Sequence, residues 1–351
     1  MQRSNFSTLG IDIGKNSVHA VGLDSAGRPI FRRRMKHSSL FELLGNVPRV
    51  LIGMEACPGS NYLGRRLAEL GHDIRLIPAQ YVKPYVKTNK NDFIDAEAIA
   101  EAVTRPTMRH VPIKTTEQLD LQTLHRVRDR LVCQRTALIC QIRSFLLEYG
   151  VVLAAGVAAF KRDYARALVE QSDKLTPRLQ STLGKLRAEL SDLEGRLDGI
   201  SREIEEVASR DDRARRLMTV PGIGALTATA FLASVGDARR FRRGRDLAAW
   251  LGLVPRQYST GGKPTLLGIS KRGNSYLRRL LIHGARSCVL HLHRDRDRLG
   301  QWLNELETRV HRNKTVVALA NKLARIAWAL LVDPSQTYRR RPLVAVASPS
   351  M

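Results

Sequence analysis

The sequence predicts an α/β domain with a mixed sheet, followed by an all-α portion of long paired helices and a mostly helical, basic last third. Three observations predict it. Short apolar runs alternate with amphipathic ones over roughly the first 110 residues. An unbroken heptad pattern occupies the middle. Of the net charge of +25, most falls in residues 211–351, where 26 Lys and Arg face 9 Asp and Glu. That imbalance calls for a polyanionic partner, bound with steep salt dependence. A hydrophobic content of 43% with 26% charged residues excludes wholesale disorder. No window approaches the roughly 18 uncharged apolar residues of a membrane span, and the first eight residues lack the apolar core of a signal peptide. Cys57, Cys133, Cys140 and Cys288 show no paired-ligand spacing. They fit a reducing cytoplasm, so a secreted, membrane-spanning or disulfide-stapled protein is not expected.

The elements follow in order. Thr8–Ile13 and Val18–Leu23 are β-type runs, and Asp24-Ser25-Ala26-Gly27 turns the chain into a third at Pro29–Arg32. A short helix near Ser39–Leu44 precedes an apolar strand at Arg49–Met54. Ser60–Leu70 reads as a helix ended by Gly71, Asp73–Ile77 as a strand stopped by Pro78, and Asp92 to about Thr104 as a helix. The order βββ-α-β-α-β-α predicts a sheet that starts antiparallel and continues through crossovers. Downstream, Leu179, Leu183, Leu186, Leu190, Leu193, Leu197, Ile200, Ile204 and Val207 alternate spacings of four and three. Leu124, Val127, Leu131, Gln134, Leu138, Gln141 and Phe145 keep the same rhythm. The two helices form a coiled-coil seam, within one chain or between subunits, with a break at Gly150–Gly156. Short helices broken by glycine follow, then an amphipathic helix from about Asn313 to Leu331. The domains expected are 1–110, 111–212 and 213–333, with a disordered tail over 334–351 that contains Arg339, Arg340 and Arg341.

Four carboxylates carry the chemistry. Asp12 sits between Ile11 and Ile13 in mid-strand, where an acid is costly unless it meets a cation or hydrogen bonds. Glu55 ends the apolar run 50–54, and Asp92 and Asp95 project from one face at a helix start. Together they form an acidic cluster able to hold two divalent metals for in-line attack at a phosphodiester. Taken singly, Asp92 and Asp95 read as helix capping and Glu55 as a strand end. Gly10-Ile11-Asp12-Ile13-Gly14-Lys15 also looks like the first phosphate loop of actin-like ATPases, but no second acidic, glycine-rich loop follows.

In the basic third, Val220-Pro221-Gly222-Ile223-Gly224 resembles a helix-hairpin-helix whose backbone N–H groups at Gly222 and Gly224 grip a phosphate. Arg239, Arg240, Arg242, Arg243 and Arg245 surround Phe241, and arginine without lysine favours bidentate phosphate contacts. The stretch 252–263 ends in Ser259-Thr260-Gly261-Gly262-Lys263, a flexible loop in which Ser259 or Thr260 is placed as a nucleophile. Lys271, Arg272, Arg278 and Arg279 open a basic helix. Cys288, His291 and His293 put no three ligands on one helical face, which excludes a zinc site.

These pieces stand in one order, and with them the chain resembles the transposases of the insertion-sequence one-ten class, its eleven-eleven subgroup in particular, related to the Piv-type DNA invertases. The resemblance covers residues 8–333. It rests on GIDIGK at 10–15, GMEACP at 53–58, NKNDFIDAEAIAE at 89–101, VPGIG at 220–224, and GLVPRQYSTGG followed by SKRGN and YLRRLL. It implies a RuvC-like, RNase H-type nuclease domain whose Asp-Glu-Asp-Asp tetrad maps onto Asp12, Glu55, Asp92 and Asp95 and coordinates Mg²⁺. It further implies a coiled-coil middle, a C-terminal domain with a nucleophilic serine, a bridge RNA that pairs with donor and target DNA, and a bacterial, nucleoid-associated protein. Members act as dimers or tetramers, the acids of one subunit facing the serine loop of another. The implied reaction is serine attack on a metal-polarised phosphodiester, leaving a 5′-phosphoserine link. In some relatives the serine directly precedes the first glycine, a position held here by Thr260. Ser259 is taken as the nucleophile because a primary hydroxyl is less hindered. Two other readings stand beside this one: a metal-dependent junction-resolving nuclease without a covalent serine, and a non-catalytic nucleic-acid-binding scaffold.

Overall fold

A computed structural model describes residues 6–87 and 91–340, in two compact units that meet in sequence at Thr116 and Glu117. Asn89 and Lys90 of the third motif, and Arg341 with the rest of the expected tail, lie outside the described residues.

The first unit is a five-stranded mixed sheet in the order β3-β2-β1-β4-β5. Its strands are β1 (Thr8–Ile13), β2 (Val18–Leu23), β3 (Pro29–Met35), β4 (Leu51–Glu55) and β5 (Asp73–Ile77). The β1–β2–β3 meander is antiparallel, and β1, β4 and β5 are parallel. Helices α1 (His37–Gly45), α2 (Ser60–Glu69), α3 (Ala79–Val82) and α4 (Asp92–Val103) complete it. Strand alternation sorts the faces. Leu9, Ile11, Ile52 and Met54 share one buried cluster with Leu40 and Leu44 of α1 and Leu63 and Leu67 of α2. Val21 and Leu23 pack instead with Ala96 and Ala100 of α4. The expected order of elements along the chain, and a mixed sheet that starts antiparallel, are observed, with α3 and a short 3-10 turn at Lys83–Tyr85 added between β5 and α4 among the described residues.

The second unit is helical apart from one hairpin. It comprises α5 (Thr116–Glu148), α6 (Val157–Glu170), α7 (Pro177–Arg210), α8 (Asp212–Met218), α9 (Ala225–Val235), α10 (Gly244–Trp250), β6 (Pro255–Thr260), β7 (Lys263–Ile269), α11 (Ser275–His291), α12 (Arg298–Glu307) and α13 (Arg312–Val332). Helices α5, α6 and α7 bury one cluster that includes Leu131, Leu138, Leu183, Leu190, Leu193 and Leu197. Arg128 near the start of α5 donates to Ser201 near the end of α7, the order an antiparallel pair requires. The α5 face departs from the expected seam. Gln134, Gln141 and Phe145 are exposed, and Ile139, Ile142 and Leu146 turn inward to cover Val151, Leu153 and Phe160. The segment after the helix break folds back, so the apolar face follows it instead of a strict heptad.

Helix α13 runs through the core of the basic region. It is long and apolar enough by those counts alone to cross a membrane. Its Val316, Leu319, Leu323 and Ala327 are, however, buried in a cluster with residues of α9, α10 and α11, and it carries Lys322 and Arg325. In residues 334–340, the start of the expected tail, the Ser335 N–H donates to the Asp333 carboxylate and the Tyr338 N–H to the Thr219 hydroxyl.

A buried histidine joins α5, α9 and α11. The Thr229 hydroxyl donates to the Ala225 carbonyl at 2.7 Å, so its oxygen accepts from His125 Nε2–H at 3.0 Å. Nδ1 is left to accept the Tyr276 hydroxyl at 3.0 Å. This arrangement requires a neutral ring, and burial, with Arg128 nearby, pushes His125 from 6.5 down to about 4. The unfolded chain thus binds one more proton between those values, and stability falls as pH drops through the window, by up to ~3 kcal/mol. A Tm-against-pH profile should show the loss between pH 6.5 and 4, and His125→Gln should flatten it.

Candidate functional site

The acidic cluster is built by register. Gly10 lies opposite Gly53 across the parallel β1–β4 pair, and Asp12 and Glu55 follow each by two residues on the same face. Across the antiparallel β1–β2 pair, Asp12 faces His19. Asp12, His19 and Glu55 therefore stand side by side on three adjacent strands. Helix α4 lies over that face, and only glycine allows it so close: a Cβ at Gly10 would sit 2.1 Å from the Ala96 carbonyl oxygen, and one at Gly53 2.8 Å from Val103. Asn91 starts the helix by accepting the Phe93 N–H at 2.9 Å. Asp92 and Asp95 then project from its first turn toward the strand acids.

The electrostatics agree with that placement. Burial, then the charges of Asp92 and Asp95, hold Asp12 above the ordinary carboxylate range, against the opposing effect of His19. Burial, then Asp12 and Asp95, do the same to Glu55. The structure thus brings together all four acids expected from the sequence. Like charges gathered in this way repel unless a cation or protons neutralise them. Ligand atoms of Asp12, His19 and Asp92 lie within 4.8 Å of one another, a group that can hold a metal ion. His19 was not anticipated. A lone histidine in an apolar strand reads as core, and only the four-residue turn at 14–17 that sets the hairpin register reveals what it faces.

The second predicted element, the serine segment, is a hairpin and not the flexible loop expected. Ser259 faces Pro264, Thr260 faces Lys263, and Gly261 and Gly262 turn the chain with φ of 55° and 76°. Positive φ at both turn residues matches the twist of the flanking strands, which is why two glycines suit this position. Every residue of β6 is exposed. The base is tied by the Ser270 N–H to the Val254 carbonyl and the Lys271 N–H to the Gly252 carbonyl. Strand alternation puts Ser259 and Thr260 on opposite faces. Ser259 shares its face with Gln257, whose amide donates to Ser259 Oγ at 2.7 Å.

The basic positions divide by surroundings. Arg242, Arg243, Lys263, Lys271 and Arg272 are exposed. Arg240 lies over the rings of Phe241 and Trp250, at 4.7 and 5.6 Å. Arg278 donates to the Leu251 and Arg272 carbonyls, both at 2.9 Å, and braces the hairpin base. Arg279 pairs with Asp129. Gly222 packs against Gly284 of α11, where a Cβ would meet the carbonyl oxygen at 2.8 Å, whereas Gly224 at the start of α9 is exposed.

Comparison with known proteins gives the class first: a family model described as a transposase matches residues 9–151, a span containing the four acids and His19. A second model, described as the transposase IS116/IS110/IS902 family, matches residues 214–299, with both hairpin hydroxyls. The transposase for insertion sequence element IS1111A of Coxiella burnetii is 45% identical over 331 residues, 94% of this chain and 91% of that one. The transposase for insertion sequence element IS1328 of Yersinia enterocolitica is 44% identical over 326 residues, 93% of this chain and 97% of that one. A probable family 20 transposase of Pseudomonas aeruginosa is 46% identical over 328 residues, 93% and 97% of the two chains. The chain belongs to the IS116/IS110/IS902 transposase family, and transposition by cutting and rejoining DNA follows from that membership.

Proposed function

We propose that this transposase is an RNA-guided DNA recombinase in which Asp12, Glu55, Asp92 and Asp95 hold divalent cations, Mg²⁺ in the cell, and Ser259 is the nucleophile. The observation that carries the reading is the alignment of Asp12 and Glu55 on adjacent strands under the first turn of α4, with both carboxyls held above their ordinary range. Oxygen donors in this number suit a hard divalent ion. Bound there, such an ion would polarise a phosphodiester and neutralise charge that develops on its oxygens.

The protein's own groups do the rest. Gln257 donates to Ser259 Oγ, which leaves the serine's proton free to depart and its oxygen aimed from an exposed strand. Attack forms the Oγ–P bond and breaks the P–O3′ bond. The serine proton passes to water at the exposed strand and the leaving 3′-oxygen takes one from water, which leaves a 5′-phosphoserine link that the reverse step resolves. Exposed Arg242, Arg243, Lys263, Lys271 and Arg272 would hold nucleic-acid backbones. The unshielded hairpin supports assembly into a dimer or tetramer, the acids of one copy and the serine of another acting on one phosphate.

Guidance is tested by supplying donor and target DNA with the RNA transcribed from the element's own flank. Recombination should need that RNA and should move to a new target when its pairing segment is rewritten. Recombination at an unchanged site without RNA would contradict guidance.

A further inference from the structure

We infer that His19 is a nitrogen ligand of the divalent ion, so that the centre is Asp12/Asp92/His19 in character and holds Mn²⁺ more tightly than Mg²⁺. The inference rests on the reading of the acids as a metal centre and extends it to a residue outside the tetrad.

Three observations carry it. The β1–β2 register sets His19 directly opposite Asp12, so the ring emerges on the acid face and not in the core. Its Nδ1 is buried and has no hydrogen-bond partner among the described residues, and it lies 3.5 Å from Asp92 Oδ2. A buried ring nitrogen that makes no hydrogen bond is costly in a folded protein unless something occupies its lone pair, and the Asp92 carboxylate beside it supplies a second donor to a shared cation. Finally, Phe93 meets the ring edge-on, with centroids 4.8 Å apart at 82°, which holds the plane in place between β2 and α4. Ligand atoms within 4.8 Å of one another need only a small side-chain adjustment to share one ion with bonds near 2.1 Å.

The chemistry then sets the preference. Mg²⁺ favours oxygen ligands and keeps its waters, whereas Mn²⁺, though the weakest binder of the first-row series and also suited to carboxylates, takes an imidazole in exchange for a water more readily than Mg²⁺ does. A carboxylate-only cluster discriminates weakly between Mg²⁺ and Mn²⁺. One imidazole added to two carboxylates favours Mn²⁺, by about tenfold.

The test uses the full chain without nucleic acid. Mn²⁺ and Mg²⁺ binding are measured by calorimetry, and pulsed electron paramagnetic resonance on the Mn²⁺ form detects coupling to a ligand nitrogen. Wild type should show that coupling. His19→Leu, which keeps an apolar contact with Phe93, and His19→Asn, which keeps a polar one, should both lose it. Each should weaken Mn²⁺ about tenfold and change Mg²⁺ less than about twofold. Mn²⁺ bound to wild type without nitrogen coupling would overturn the assignment of His19 and leave the acid cluster standing. Equal weakening of both ions would overturn the preference. No binding of either ion, with Asp12→Asn behaving as wild type, would remove the metal centre and this inference with it.

Discussion

Asn in place of Asp12 is expected to lower DNA cleavage by at least ~10³-fold while DNA binding changes less than about twofold. Asp12 is the shared neighbour of the cluster, since its charge bears on Glu55 while those of Asp92 and Asp95 bear on it. An amide keeps the shape and the strand register but removes the anionic ligand. The same change should raise the Tm of the metal-free protein at neutral pH, because it relieves repulsion among partly buried carboxylates. The Tm increase that divalent ions give wild type should vanish in the variant. Loss of cleavage together with loss of DNA binding would point to a structural role for Asp12, and unchanged cleavage would remove the acids from the reaction.

Ser259→Ala is expected to abolish strand transfer, a loss of at least about 10³-fold, whereas Thr260→Ala should retain it within about tenfold. The hairpin makes the comparison sharp. Neighbouring residues on β6 point to opposite faces, so an attacking group at one position cannot be replaced by the other without a register shift. A shift is opposed by the two-glycine turn and by the tied base. The Gln257 amide is bonded to Ser259 Oγ and not to the Thr260 hydroxyl. Recombination rates for Ser259→Ala, Thr260→Ala and Gln257→Ala, with the last reduced by about tenfold, would separate nucleophile, bystander and orienting group.

Much of the first unit was legible because its signals are local. Period-2 apolar runs located β1, β2, β4 and β5, and an acid inside β1 stood out against them. The alignment of Gly10 with Gly53 was not legible, since it depends on pairing between strands forty residues apart. That pairing, however, is what puts Asp12 beside Glu55. His19 was missed for the same reason at shorter range. In the second unit the α7 heptad predicted its buried residues well, but the α5 face was set by the fold-back of residues 151–160 and turned away from Gln141 and Phe145. The β6–β7 hairpin escaped notice because Pro255-Arg256-Gln257-Tyr258-Ser259-Thr260 has no apolar alternation. A wholly exposed strand writes no burial pattern into its sequence.

The most direct measurement is adduct trapping on 3′-labelled donor DNA with the element's RNA and Mg²⁺, resolved on a denaturing gel. A 5′-phosphoserine link leaves the protein on the fragment that keeps the 3′ end. The account predicts a shifted, protease-sensitive band in wild type and Thr260→Ala that is absent in Ser259→Ala. Cleaved DNA with no adduct in any of the three would contradict a covalent serine and leave a metal-dependent nuclease in its place.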